Sequence, residues 1–315
     1  MALTYTEAQS VSKSYFDKTF KQQVYQDSPF WVKLMKKNKI LLDGGYDIRF
    51  PIRWDSLGYA DAVDDTAAVV FETKETRNIG VLDWKYYNSK NLITWGERVR
   101  NTAPHQIVNL IADKTDEMKQ DLNNRFATDL YTTNPNGKGF ISLAVIVDKD
   151  DAYAGLAVAD ATTWLSSFED AAETQLALYG ENSLAEATAD CTFGKDFPKF
   201  HLTTLDLASK FESLVEPQKR YEDKEMADAG FRNTTFHGYP VFGDYHCPAS
   251  AWYGLDIDQF EFRVHSDYNL KLTPWTELLQ AGHPNALGRV ISWAGNLVCH
   301  CRRSSFKFTA LDYTV

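Results

Sequence analysis

Tyr46-Asp47-Ile48-Arg49-Phe50-Pro51-Ile52-Arg53-Trp54 alternates without a break: Tyr46, Ile48, Phe50, Ile52 and Trp54 share one face, and Asp47, Arg49, Pro51 and Arg53 the other. A period of two marks a half-exposed strand, and Pro51, which has no amide to give to a ladder, suits an edge. Gly44 and Gly45 turn the chain into this strand. Beyond it, residues 55–68 are small, polar and acidic, with Gly58, Asp61, Asp64 and Asp65, and residues 69–77 and 79–87 then read as strands again. Strand, long acidic tip and returning strand make a two-stranded arm with little hydrophobic backing of its own. An isolated hairpin of that size is marginal in water. The pattern therefore predicts an interface, not a pocket.

Working outward, residues 12–25 carry Tyr15, Phe16, Phe20 and Val24 near helical spacing. Asp27, Ser28 and Pro29 break that run, and a second short segment begins at 30–34. Lys33, Lys36, Lys37 and Lys39 read as a solvated helix end. On the other side of the arm, Asn101 and Thr102 are good caps, Pro104 suits a first turn, and glycine and proline are then absent until Pro135. Ile107, Ile111, Met118, Leu122, Phe126 and Leu130 trace one apolar stripe, opposite a face with Asp113, Lys114, Asp116, Glu117, Lys119 and Asp121. A helix over 104–131 would be about 40 Å long at about 1.5 Å per residue, a spine lying across a sheet. Residues 134–139 are dense in turn chemistry. Strands are expected at 141–147, 200–204, 236–242, 251–255 and 260–264, with a last one at 291–301. Helices are expected at 161–179 and 205–214, and 275–279 is a short apolar patch. The whole reads as α+β.

The chain has 315 residues, 44% of them hydrophobic and 14% aromatic, enough to bury a sizeable core and to exclude wholesale disorder. No apolar run approaches a membrane span, and the polar start, Met1 to Ser10, lacks a secretory pattern. With 33 Lys and Arg against 43 Asp and Glu, the net charge of -10 argues against a protein whose main task is gripping nucleic acid. Cys191, Cys247, Cys299 and Cys301 are too few for a disulfide framework. Cys299-His300-Cys301, with His246 and Cys247, invites a zinc reading. Within a strand, however, Cys299 and Cys301 share a face and His300 points away, so small buried side chains account for them better. Asp61, Asp64 and Asp65 lack the spacing of a calcium loop, and Asp256 and Asp258 at a strand exit need no catalytic role. No nucleophile elbow, phosphate loop or dinucleotide fingerprint is present. The residues point to no catalytic, cofactor or metal site, and so to no enzyme.

Two stretches carry a resemblance. The first is Pro217-Gln218-Lys219-Arg220-Tyr221, continuing through Asp228-Ala229-Gly230-Phe231, Phe236-His237-Gly238-Tyr239-Pro240-Val241 and Asp244 to Cys247-Pro248-Ala249-Ser250-Ala251-Trp252-Tyr253-Gly254-Leu255-Asp256. The second is an order of parts: helical arm, glycine turn, extended two-stranded loop, aromatic return (Leu82-Asp83-Trp84-Lys85-Tyr86-Tyr87), then the long helix. Together they resemble the Hong Kong 97-like major capsid proteins of tailed bacteriophages. The resemblance implies an N-terminal arm (1–42), an E-loop (43–95), a peripheral domain with the spine helix (96–135 and 258–300) and an axial domain (136–257 and 301–315). It implies an E-loop lying over a neighbouring copy, with Arg49, Arg53, Trp54, Asp61, Asp64, Asp65, Phe71 and Trp84 as interface residues. Hexamers and pentamers would close an icosahedral shell around double-stranded DNA. Its partners would be other copies, DNA held non-specifically, and separate scaffolding, portal and decoration proteins. Its place would be the virion, and the host cytoplasm during assembly, with no membrane. Arg49 and Arg53 are expected to pair with a neighbour's carboxylates. A nanocompartment shell of the encapsulin type is the rival within the same fold, and a carbohydrate-active protein with aromatic platforms the rival outside it.

Overall fold

The alternation that opens the sequence is realised as a strand in a computed structural model, which describes residues 28–37, 39–53, 55–65, 68, 70–100, 110–132, 136–157, 168–170, 174–215, 233–278 and 285–312. In chain order the elements are α1 (Pro29–Lys37), β1 (Lys39–Leu42), β2 (Ile48–Arg53), β3 (Arg77–Leu82), β4 (Lys85–Thr94), α2 (Trp95–Arg100), α3 (Leu110–Tyr131), α4 (Leu143–Ile146), β5 (Phe168–Asp170), β6 (Thr174–Gln175) and α5 (Leu184–Asp190). They continue as β7 (Phe200–Thr203), α6 (Leu205–Val215), β8 (Asn233–Phe236), β9 (Tyr239–Gly243), β10 (Trp252–Leu255), β11 (Phe260–His265), β12 (Lys271–Leu272), β13 (Thr276–Glu277), β14 (Ala286–Cys299), β15 (Phe306–Phe308) and β16 (Leu311–Asp312). The described chain divides into two units, one drawn from 88–122 and 270–291, the other from 28–87, 123–269 and 292–312. β4, α3 and β14 each contribute residues to both.

In the smaller unit, β13 pairs antiparallel with β14 (Thr276 opposite Gly288). Arg289 ties the loop before it down, donating to the Thr273 carbonyl at 2.7 Å and to Thr115 Oγ1 at 3.2 Å. Thr94 and Glu97 form a reciprocal cap on α2: the Thr94 amide donates to Glu97 Oε2 at 2.9 Å and the Glu97 amide to Thr94 Oγ1 at 3.3 Å. That backbone hydrogen bond lowers the Glu97 carboxyl below its ordinary pKa. The polar face of α3 is laced to β4 by Ser89 donating to Asp121 (3.0 Å) and Asn91 to Glu117 (2.9 Å).

The larger unit holds two apolar centres. In the first, β1 runs parallel to β11, which is antiparallel to β14. Trp31 of α1 stacks on Phe126 of α3 (centroids 4.6 Å apart) and meets Phe262 edge-on, and Phe126 in turn meets Trp293 at 4.8 Å. The aromatic content thus largely fills core. The second centre lies under the sheet ordered β5-β15-β10-β7-β9-β8. There Leu184, Ala187, Leu207, Phe211, Trp252, Phe306 and Phe308 are buried together. A Trp252 Nε1 hydrogen bond to His201 Nδ1 (3.4 Å) and complete burial leave that histidine a neutral core residue, its pKa pressed down to about 3 by desolvation.

Several elements differ from expectation. Residues 141–147 hold a helical turn, α4, because the Ser142 carbonyl accepts the Val145 and Ile146 amides; periodicity cannot separate a short apolar run of strand from one of helix. In the described parts of 161–179, 168–170 and 174–175 are strand and 176–179 irregular; β5 pairs parallel with β15 and β6 with β16, so long-range pairing overrides local helical spacing. Residues 236–242 are a hairpin turning at His237 and Gly238, both with positive φ. β14 ends at Cys299 and two further strands follow it. Residues 70–76 are not strand, and the expected return at 79–87 breaks at Asp83, whose carbonyl accepts from Asn296 (2.9 Å). The start of the long helix and the run at 12–25 lie outside the described residues. Within them the stripe is buried at Met118, Leu122, Phe126 and Leu130, but Ile111 is exposed.

Two buried polar groups pin the larger unit. Asp244 Oδ2 accepts from Tyr131 at the end of α3 (2.8 Å) and from Ser28 at the start of α1, while Oδ1 accepts the His246 amide at 2.9 Å. Burial, with the neighbouring Asp244 charge, drives the Tyr131 hydroxyl well above its ordinary pKa, so it stays a donor. Arg302 is buried, donating to the carbonyls of Ile146 (2.6 Å), Val145 (3.1 Å), Asp151 (3.2 Å) and Asp148, with its guanidinium 5.5 Å from the Tyr153 ring. Lys307 adds Ala144 O (3.1 Å) and Asp148 Oδ2. Removing a buried charged acceptor leaves its donors unsatisfied at about 1–3 kcal/mol each. Asp244→Ala is expected to destabilise the chain by roughly 3 kcal/mol in urea unfolding, and Asp244→Asn by less, since the amide oxygen still accepts.

Candidate functional site

β2 and β3 pair antiparallel from Ile48–Leu82 to Arg53–Arg77. One face of this ribbon, Ile48, Phe50, Ile52, Gly80 and Leu82, is buried. Phe50, fully buried, lies flat over Gly80, where a Cβ would come within 2.6 Å of its ring, so that glycine is required. The ring meets His300 edge-on at 5.4 Å and Tyr153 at 6.4 Å. Two further bonds hold the ribbon's backbone: Arg263 Nη1 donates to the Arg49 carbonyl at 2.8 Å, and the Val81 amide to the Ala154 carbonyl at 2.9 Å. The base of the arm is therefore backed by its own chain. That corrects, for the base, the expectation of an arm with little hydrophobic backing of its own.

The expectation holds beyond the base. Leu57, Tyr59, Val63, Val70 and Phe71 are all exposed, Phe71 at 92%. Asp61, Asp64 and Asp65 are exposed beside them. Lys74 ties across this loop, 2.7 Å from Asp55 Oδ2 and bonded to the Ser56 carbonyl at 3.0 Å; both side chains are solvated, so the pair adds little to stability.

The residues singled out from the sequence divide accordingly. Arg53, Asp61, Asp64, Asp65 and Phe71 stand exposed on the arm. Arg49 is engaged at home, its guanidinium bidentate on Asp47 at 2.8 and 3.0 Å. Trp84 is half-buried, donating to the Gly45 carbonyl (3.0 Å) and leaning on His265, where it fixes the root of the arm. Trp54 lies outside the described residues. Sequence reading missed Arg77, which register places opposite Arg53, and Arg303, whose guanidinium sits 4.8 Å from the Phe193 ring. These arginines meet in a cleft of about 630 Å³ beside the arm's base. Arg77 is set opposite Arg53 by register alone, which no local pattern in the sequence carries.

The groups considered for catalysis are occupied otherwise. Burial pushes the Cys247 and Cys299 thiols up, away from reactivity. Burial also raises the Asp256 carboxyl, which lies 3.3 Å from Lys199. No cluster of three His, Cys, Asp or Glu able to hold a metal occurs among the described residues, nor any helix long and apolar enough to cross a membrane.

No family model matches the chain, and no curated protein matches it by sequence. Solved structures do match it. The capsid asymmetric unit of cyanophage A-1(L) is similar over 98% of this chain and 99% of its own, with a TM-score of 0.71 and 17% identity. The capsid of a native GTA particle is similar over 99% of both chains (TM-score 0.66, 10% identity). An encapsulin of Synechococcus elongatus is similar over 100% of this chain and 98% of its own (TM-score 0.63, 10% identity). The chain has the α+β, Hong Kong 97-like capsid fold.

Beneath the arm, Glu261 lies 2.9 Å from His300 Nε2 and 3.1 Å from Arg263 Nη2. Burial raises its carboxyl, but bonds from His300 and Arg263 outweigh that and hold it below the ordinary 4.5. A lowered acid stabilises the fold above its ordinary value and loses that contribution as pH falls through the folded one. Glu261→Gln should therefore be less stable than the unmodified chain at pH 7, with the gap in thermal midpoint closing as the pH falls below 4.5.

Proposed function

We propose that this chain is the major capsid protein of a tailed bacteriophage, which assembles as hexamers and pentamers into an icosahedral shell around double-stranded DNA. One observation carries the reading: within an end-to-end capsid fold, the arm beyond residue 55 presents Leu57, Tyr59, Val63, Val70 and Phe71 together to solvent, with Trp95, Tyr179 and Tyr245 exposed elsewhere on the chain. Exposed apolar side chains grouped on one projection mark an association surface. Burying one Phe is worth about 2–3 kcal/mol, modest for one contact, but closed symmetry repeats it at every subunit. The E-loop (43–95) lies over a neighbouring copy. The peripheral domain comprises 96–135 and 258–300, and the axial domain 136–257 and 301–315. The work is mechanical, without catalysis or cofactor. The net charge of -10 suits a wall that contains DNA without gripping it. Scaffolding, portal and decoration proteins are its further partners, the host cytoplasm its place of assembly and the virion its destination.

The encapsulin likeness supports a second reading, a shell around a protein cargo. Nucleic acid protected inside purified particles separates the two. Expressed alone or with its scaffolding partner, the chain is expected to form closed particles in electron micrographs. Phe71→Ser should leave the subunit's thermal midpoint unchanged while raising the free-subunit concentration at which particles appear in sedimentation by about tenfold, the equivalent of about 1.4 kcal/mol per subunit. Compact monomers at every concentration would overturn the reading.

A further inference from the structure

Arg53 and Arg77 are directly opposed across the last rung of the β2–β3 ladder, and both are exposed. Like charges so placed are unfavourable by themselves. No ion pair to either occurs among the described residues, in contrast to Arg49 on the same strand, which holds Asp47. Both arginines line the cleft at the arm's base, with Arg303 as a third guanidinium and Leu57 and Phe193 as apolar wall. Among the described residues, the one carboxylate in the lining, Asp55, is already bridged by Lys74. The cleft is thus strongly cationic on a chain that is acidic overall. The exposed tip has the opposite character: Asp61, Asp64 and Asp65, interleaved with Tyr59 and Val63.

We propose that the arginine cleft at the base of the arm is the receptor for the acidic tip, residues 59–65, of a second copy of this chain. The inference rests on the shell reading and deepens it, since it names which surface receives the arm. Charge complementarity selects the occupant. Guanidiniums bind carboxylates bidentately, and the tip's Tyr59 and Val63 match the apolar wall. A nucleic acid backbone has no apolar side chains for Leu57 and Phe193, and it would approach against the net negative charge. No ion pair to Asp61, Asp64 or Asp65 occurs among the described residues, and the cation tied into this loop, Lys74, is held by Asp55 and the Ser56 carbonyl. Each subunit would carry one receptor and one plug, a heterologous contact that closes into rings.

The test is a charge exchange on the full chain. Arg53→Glu with Arg77→Glu, and separately Asp61→Lys, Asp64→Lys and Asp65→Lys, are each expected to lower the assembled fraction at least tenfold in sedimentation and electron microscopy, with an unchanged thermal midpoint. Combining the two sets in one chain is expected to restore assembly. Wild-type-like assembly by the arginine variant would overturn the cleft while leaving the shell reading intact. So would failure of the exchange to restore particles when the combined variant is folded, or an arginine variant that assembles normally and loses only its nucleic acid. Failure of the unmodified chain to form particles would remove the shell reading and this inference together.

Discussion

Apolar side chains on a two-stranded ribbon must be covered by something, and this chain divides that obligation at one point along the ribbon. Up to Ile52 and Gly80 one face is covered by its own body, through Phe50, Tyr153, His300 and Arg263, while Ile79 and Val81 on the other face stay exposed. From Leu57 onward there is none in the described subunit. The division decides how the protein can exist. A ribbon bare throughout would be held only after assembly, and one covered throughout would have no reason to assemble. Covering the root and leaving the tip aims the exposed portion before any partner arrives, which reduces the ordering entropy that association must overcome.

Polar anchoring keeps the body rigid enough to serve as a mount. Asp244 gathers the start of α1, the end of α3 and the turn after β9 onto one carboxylate, so three segments distant in sequence share one acceptor. Arg302 does the converse, bringing one donor group to four carbonyls at the end of α4. Neither resembles a catalytic arrangement. Each satisfies buried backbone or hydroxyl groups that would otherwise lack partners.

Much of this was legible in the chain itself. β2 followed from strict alternation, α3 from a stripe between caps and Pro135, and α6 and β7 from ordinary spacing. The order of parts pointed to the capsid fold before any coordinates. What failed were segments whose structure is decided at long range. Residues 141–147 are as apolar as a strand and become a turn of helix because Arg302 and Lys307 arrive from the far end of the chain to hold its carbonyls. Phe168–Asp170 joins a sheet because β15 offers an edge. At the site, the exposure of Arg53, Asp61, Asp64, Asp65 and Phe71 could be read from alternation and polarity, whereas the bonds of Arg49 to Asp47 and of Trp84 to Gly45 could not. The cationic cleft was invisible because opposition of Arg53 to Arg77 is a matter of register across a loop of more than twenty residues, and Arg303 and Phe193 enter from elsewhere.

The six paired rungs of β2 and β3, bolted to the body at Arg49 and Val81, have a consequence for load. A pull along the ribbon's axis strains every rung at once and is passed to β11 and to the loop holding Ala154. A sideways pull opens the ladder one rung at a time, beginning where the two arginines repel. The arm is thus stiff in tension and yields to peeling, the behaviour of a strap fastened at one end.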